Sequence, residues 1–311
     1  GQGIKIGVLS DSYSTKFNGT AADDDILRGD LPGPANPANT QPVDVLLDYP
    51  YGVATDEGRA MLQIIHDIAP EAELAFRTGL ISPVDFARGI IELQQAGCDI
   101  IVDDITYISE PFLRDGIVAR AVDSVTMMGV SYFTAAGNFG SKSYESAFVP
   151  GSVPPGLNGY AHNFASDGTI DPYQSITVTE GAYTIVLQWD DGTGNAHTST
   201  DLDIYLANDD GSRLFGFNRD NRDAAPIEVL PFKVLDTAQT NIVIVNNAGP
   251  DPVKMKYIVF RGEVIFNEYF DGSSSTIVGQ ANAEGAITVG AVLYSNTPAY
   301  GVDPPTVASF S

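Results

Sequence analysis

Two acids stand side by side at the head of an apolar run in residues 55–70, TDEGRAMLQIIHDIAP. Carboxylates there can do either of two jobs. They can cap a helix, accepting its unpaired N–H groups and meeting the positive end of its dipole. Alternatively, Glu57 can act as a general base, taking a proton from a nucleophile and passing it to a leaving group. Asp56 reads as the cap. Further groups of chemical interest close strand-like segments: Asp11 in IKIGVLSD, Asp103 and Asp104 in CDIIVDDITY, and Asn138 in VSYFTAAGN. Asp11 is either a turn-forming acid or a partner of the base. Asn138 is either a Gly-Asn turn residue or the donor of a side-chain N–H to a developing oxyanion. Asp104 is either a solvated strand end or a group that binds substrate or couples to Glu57. Acids at that position disfavour acidic peptides at neutral pH.

The elements that must position these groups alternate over the first 140 residues. Strands are expected at residues 4–11, 43–50, 73–78, 98–107 and 130–138, and helices at 57–69, 82–97 and 110–129. Ser82 is the expected N-cap of the second helix, with Pro83 at its first position and Gly97 past its end. Several strands are apolar on both faces, as in a parallel sheet covered by helices on both sides. Ligands of such sheets bind at the carboxyl ends of the strands, and Asp11, Asp103, Asp104 and Asn138 fall there. Residues 141–160 are rich in Ser, Gly and Pro and read as a loop. From about 160 to 270 only short strands and turns follow, the pattern of an antiparallel sandwich or jelly roll. From about 276 the strand-and-helix style returns. The expected fold is therefore α/β, a doubly wound, mostly parallel sheet interrupted by an inserted β-sandwich. The α/β part is expected at 1–155 and 272–311, and the insert at 156–271.

The chain has 311 residues with 16 basic and 40 acidic side chains, a formal net charge of −24. So acidic a chain is not built to neutralise nucleic-acid phosphates. It suits an extracellular or high-salt setting, or calcium binding. No apolar run is long enough to span a membrane. The single cysteine, Cys98, excludes an intrachain disulfide framework and reads as a small buried residue. GQGIKIG has its glycines before the strand rather than after it, which argues against a nucleotide loop, and no organic cofactor is expected.

Four stretches, in this order, resemble the subtilases, the subtilisin-like serine proteases: IGVLSDSY, EGRAMLQIIHDIAPEAEL, MGVSYFTAAGNFG, and GQANAEGAITVGAV with VASFS. They are similar to the strand of the catalytic aspartate, the histidine helix, the strand of the oxyanion-hole asparagine, and the approach to the nucleophile. The resemblance covers all but the insert, and LQWDD and DLDIYLANDDG in the insert resemble prepeptidase C-terminal or P-domain modules. It implies a secreted or cell-surface endopeptidase acting on peptide or protein substrates. In it Asp11 would orient the base and Asn138 would serve the oxyanion hole. Glu57 stands where the family has histidine. The sedolisins, on the same fold, use Glu–Asp–Ser, but their acid partner sits one helical turn after the glutamate, where this chain has Met61. The partner would have to be Asp11. The family's serine motif, roughly GTSMA, is not found. It is expected beyond Ser311, so residues 1–311 are expected to be inactive alone. His66 lies nine residues after Glu57, about half a turn out of phase and roughly 13 Å along the helix, so it cannot replace Glu57. His162 and His197 are expected on the surface of the insert.

Two further readings stay open: a pseudoprotease that kept the fold, and an insert that is itself the working part, binding glycans or a cell surface. Within the insert, Asp201 and Asp203 alternate along one strand and face one side, with Asp190, Asp209 and Asp210 on loops that can approach. Such oxygen clusters suit calcium, and an acid-lined strand edge would look the same. Trp189 is expected in the core.

Overall fold

The computed structural model describes residues 1–16, 21–270, 272 and 274–311. They form two compact units, Gly1–Gly137 with Ile277–Val292, and Asn138–Thr276 with Leu293–Ser311.

The first unit is the α/β part. Its elements are β1 (Lys5–Ser10), α1 (Ala22–Arg28), β2 (Asp44–Leu47), α2 (Glu57–Ile68), β3 (Glu73–Thr78), α3 (Pro83–Gln95), β4 (Ile100–Asp103), α4 (Ile117–Met127) and β5 (Ser131–Ala135), with a late strand at Ala286–Val289. Among the described residues these strands form one parallel sheet, ordered from that late strand through β5, β4, β1 and β3 to β2. Strand alternation sorts the core. Val8, Leu74 and Phe76 point to one face and pack with Leu62 of α2. Leu9, Ala75 and Ile101 point to the other, under Phe86, Ile90 and Leu93 of α3 and Val118, Val122 and Val125 of α4. Cys98 is buried there, as expected.

The α3 signals act as read. Ser82 accepts from Asp85 N at 3.2 Å, Pro83 opens the helix, and Gly97 takes a left-handed φ of 87°. Other boundaries move. α1 was not anticipated. α4 starts at Ile117 instead of 110, because Glu110 is buried ahead of it and accepts from Val118 N at 3.1 Å, so the preceding segment caps the helix rather than joining it. β4 ends at Asp103, short of the expected 107. Arg77 on β3 is 1% exposed and fastens α3 to the sheet, bonding Asp85 at 2.9 Å and Glu92 at 2.9 Å.

The second unit is the antiparallel sandwich. Its strands are β6 (Ser143–Ser146), β7 (Pro150–Gly151), β8 (Tyr160–His162), β9 (Gln174–Val178), β10 (Gly181–Asp190), β11 (Asp201–Ala207), β12 (Leu214–Gly216), β13 (Ile227–Val234), β14 (Ala238–Ala248), β15 (Lys254–Arg261) and β16 (Val264–Phe266), which makes the late strand of the first unit β17. One sheet runs β13-β10-β15-β6; the other is built on β11 and β14, with β12, β8, β7, β9 and β16. Between them lies a core of Ile185, Leu187, Trp189, Leu202, Ile204, Ile244, Tyr257 and their neighbours. Trp189 is in it as expected, its Nε1 donating to Thr198 Oγ1 at 3.1 Å.

The Ser/Gly/Pro-rich segment 141–160 is not a plain loop. β6 pairs with β15, Tyr144 stacks on Tyr257, and β7 pairs with β8. Strand pairing, which composition does not report, moves the sandwich's limits from 156 and 271 to Asn138 and Thr276, and Leu293–Ser311 group with it too. No helix among the described residues is long and apolar enough to cross a membrane.

Candidate active site

Asp11 follows β1 directly and is buried. Its Oδ1 accepts from the backbone N–H of Ser12 (2.5 Å), Glu57 (2.8 Å) and Gly58 (3.4 Å). Its Oδ2 accepts from Thr55 N (2.6 Å) and Thr55 Oγ1 (2.5 Å). Burial opposes its ionisation, but the bonds from Thr55, Ser12 and Gly58 outweigh burial and hold its pKa below the usual value. Asp11 thus caps α2 from a neighbouring strand.

Asp56 therefore does not cap, contrary to expectation. It occupies the N-cap position in a left-handed conformation, φ 57°, which aspartate tolerates better than most residues, and its side chain makes no capping bond. Instead it accepts from Ser12 Oγ, Thr15 N and Thr15 Oγ1, each at 2.8 Å, and from Arg59 Nη1 at 3.3 Å. It organises the 12–16 segment. Arg59 also pairs with Asp25 at 3.0 Å.

Glu57 is the first residue of α2. Its backbone N–H is held by Asp11 while its side chain is exposed. Gly58 behind it allows this close approach: a Cβ there would stand 2.3 Å from the Phe76 ring and 2.9 Å from Ser12 O. Gly58→Ala is expected to destabilise the chain by about 1–3 kcal/mol through overpacking, measured as a lower urea midpoint; an unchanged midpoint would show that Phe76 and the head of α2 can yield.

Asp103 and Asp104 end β4 beside β1, with Leu9 opposite Asp103. The two acids differ. Asp103 is 2% exposed and ties strands together, accepting from Gln280 Nε2 at 3.0 Å and Thr134 Oγ1 at 3.1 Å. Burial pushes its pKa up to about 6 against those bonds. Asp104 accepts from Ser10 Oγ at 3.1 Å through Oδ2, while its Oδ1 is buried without a hydrogen-bond partner. Its pKa is raised to about 7, by burial first and then by the charges of Glu57, Asp103 and Asp11, against the lowering by the Ser10 bond.

Within the first unit Asp11 thus bonds the backbone of Glu57, and the charges of both act on Asp104. Asn138 is the first residue of the second, after Gly137 at φ 91°. The sequence reading missed Ser10, Ser12, Thr55 and Gln280, whose roles come from contacts distant in sequence rather than from any motif.

The histidines stand elsewhere. His66 is buried on the core side of α2, its Nε2 3.2 Å from the Asn36 amide, and burial lowers its pKa. His162 is 1% exposed, correcting the surface placement: its Nδ1 accepts from Val149 N at 3.1 Å, leaving Nε2–H for Tyr144 Oη at 2.9 Å, within a cluster that includes Phe148 and Phe164. His197 is exposed.

In the sandwich, Asp201 and Asp203 are both buried. Asp201 accepts from Asn221 N at 3.0 Å, and Asp203 from Tyr205 Oη at 3.0 Å and from the Asn247 amide. Asp210 closes a turn with Asn208 and Ser212, and Asp209 accepts from Asn241 Nδ2. Among the described residues no three His, Cys, Asp or Glu side chains gather in a way that could hold a metal ion.

No protein-family profile matches the chain, and no curated protein matches it. Solved structures do. The prenylagaramide maturation protease PagA is 19% identical over 44% of this chain and 47% of its own, with a TM-score of 0.29. The self-cleaved protease domain of PatA is 23% identical over 44% of this chain and 50% of its own, at 0.31. The CBM35 of Cellvibrio japonicus Abf62 is 10% identical over 40% of this chain and 98% of its own, at 0.23. The chain spans about half the length of the two proteases.

Proposed function

We propose that the first unit is the main part of a subtilisin-like serine peptidase domain in which Glu57 is the general base. One observation carries this: the carboxylate of Asp11 holds the backbone of Glu57 at the carboxyl end of β1 and leaves the Glu57 side chain exposed. Asp11 is then a positioning residue that acts through the N-terminus of α2. The Glu57 carboxylate takes the proton of a serine hydroxyl as the oxygen attacks the peptide carbonyl. It returns that proton to the amine nitrogen as the C–N bond breaks. The serine is expected in a GTSMA-type segment past Ser311, and Asn138 is proposed to donate to the oxyanion. The substrate is a peptide or protein, and the proposed setting is secreted or cell-surface.

A specific observation favours the runner-up, a catalytically silent fold: both oxygens of Asp11 are already occupied in holding the helix. The deciding experiment is hydrolysis of denatured casein from pH 3 to 8 by the protein extended to carry the serine motif, beside residues 1–311. The expected result is activity on the acidic side in the longer chain, blocked by a serine-directed inhibitor, and none in the shorter. Robust inhibitor-sensitive cleavage by residues 1–311 would place the nucleophile elsewhere. Absence of cleavage in both would favour the silent fold.

A further inference from the structure

We infer that Asp104, in its protonated form, is the side chain that hydrogen-bonds the Glu57 carboxylate and orients it, a part the sequence had given to Asp11. The inference rests on the reading of Glu57 as the base. Three observations lead to it. Asp11 has no oxygen to spare: five donors converge on it, and all of them favour its ionised form. An ionised carboxylate accepts only, so it cannot bond a second carboxylate. Asp104 sits one strand over, beside Ser10, because β1 and β4 pair with Leu9 opposite Asp103. Its two oxygens are unequal: Oδ2 takes the Ser10 hydroxyl, and Oδ1 is buried with no donor.

A buried carboxyl oxygen without a donor is costly as part of an anion and is satisfied when it carries a proton that it can give away. The strongest charges acting on Asp104 are those of Glu57, Asp103 and Asp11, all acids. Neighbouring carboxyl groups under that repulsion hold one proton between two. In the proposed pair Asp104 carries a proton on its buried Oδ1 and donates it to Glu57. During the reaction Glu57 gains the serine proton and passes it to the leaving nitrogen, while the Asp104 proton stays in place and steadies both states. Asp104 is thus a positioning residue for the base rather than a contact for substrate.

The test reads titration, so it does not depend on peptidase activity. Carboxyl carbon NMR of the 311-residue chain, with the Asp104 signal identified by Asp104→Asn, is followed from pH 3 to 9 in the wild type and in Glu57→Gln. The expected result is an Asp104 transition near neutral pH that moves down by about one pH unit in Glu57→Gln, where the neighbouring negative charge is gone. An Asp104 that titrates in the ordinary aspartate range, or whose transition ignores Glu57→Gln, overturns the inference. In the extended, active protein Asp104→Asn is expected to keep a pH-independent N–H donor and to flatten the alkaline fall of kcat, while Asp104→Ala loses kcat. An alkaline fall unchanged in Asp104→Asn also overturns it. A responsive titration in a protein that cleaves nothing supports the pair and counts against the peptidase reading alone.

Discussion

Glu57→Gln in the extended protein is expected to lower kcat for peptide hydrolysis by about 10²–10⁴-fold, the usual worth of a positioned general base. The fold should survive. What Asp11 holds at this position is the backbone N–H, which glutamine also has, and the Glu57 side chain is exposed. Its replacement by an isosteric amide is therefore expected to change stability by no more than about 0.5 kcal/mol. Asp11→Ala should do the opposite. It strips the acceptor from the N–H groups of Ser12, Thr55, Glu57 and Gly58 and from the Thr55 hydroxyl. It should cost at least about 2 kcal/mol whether or not the protein is an enzyme. Thermal melts beside kcat for the two variants separate capping from catalysis. If Glu57→Gln lowers the melting temperature as Asp11→Ala does while kcat persists, Glu57 is an ordinary helix-start residue and another group is the base.

The second large effect is in stability against pH. Six acids have raised pKa values: Asp103 and Asp203 at about 6, Asp104 and Glu228 at about 7, and Asp25 and Glu110 also above their usual range. Burial is the leading cause in each, and the charge of Asp203 adds to that of Glu228. An acid whose folded pKa exceeds its unfolded one keeps a proton in the native state that the unfolded chain has released. Stability therefore falls as pH rises through the window from about 4 to about 7. Asp11, Asp56 and Asp85 act the other way. Their lowered pKa values stabilise above the ordinary carboxylate range and lose effect only as pH falls below about 4. The net charge of −24 adds repulsion at high pH. The expected optimum lies near pH 4–5, with a loss on the order of several kcal/mol by pH 8. Urea unfolding at pH 5 and pH 8, at equal ionic strength, measures it. Glu228→Gln and Asp104→Asn should each flatten the slope in their own unit. Equal midpoints at the two pH values, or a higher one at pH 8, would show that these acids are ionised in the native protein.

Much of the architecture was legible because it follows from local pattern. Apolar runs bounded by turn and cap signals located β1, β3, α2 and α3, and the Ser82, Pro83 and Gly97 signals bounded α3 as they act in the structure. Alternating strands and helices against short strands with frequent turns distinguished the parallel unit from the antiparallel one. Where a segment's state depended on a distant partner, reading failed: residues 143–146 became a strand only because β15 offers them an edge, and His162 became core only because Tyr144, Phe148 and Phe164 close over it.

The site divides in the same way. Which acids are present, and that Asp11, Asp103 and Asp104 fall at strand ends, could be read along the chain, since a strand's end is marked by its own residues. That Glu57 starts a helix could be read for the same reason. What each acid does depends on contacts far apart in sequence. Asp11 rather than Asp56 holds α2, because the 11–12 turn meets the helix N-terminus across 44 to 47 residues of chain. Asp103 and Asp104, adjacent in sequence and identical in type, part ways because successive residues leave a strand in opposite directions. One enters a network with Thr134 and Gln280, and the other accepts from Ser10. Burial and hydrogen-bond partners set the charge of a carboxyl group, and neither is a property of its neighbours along the chain.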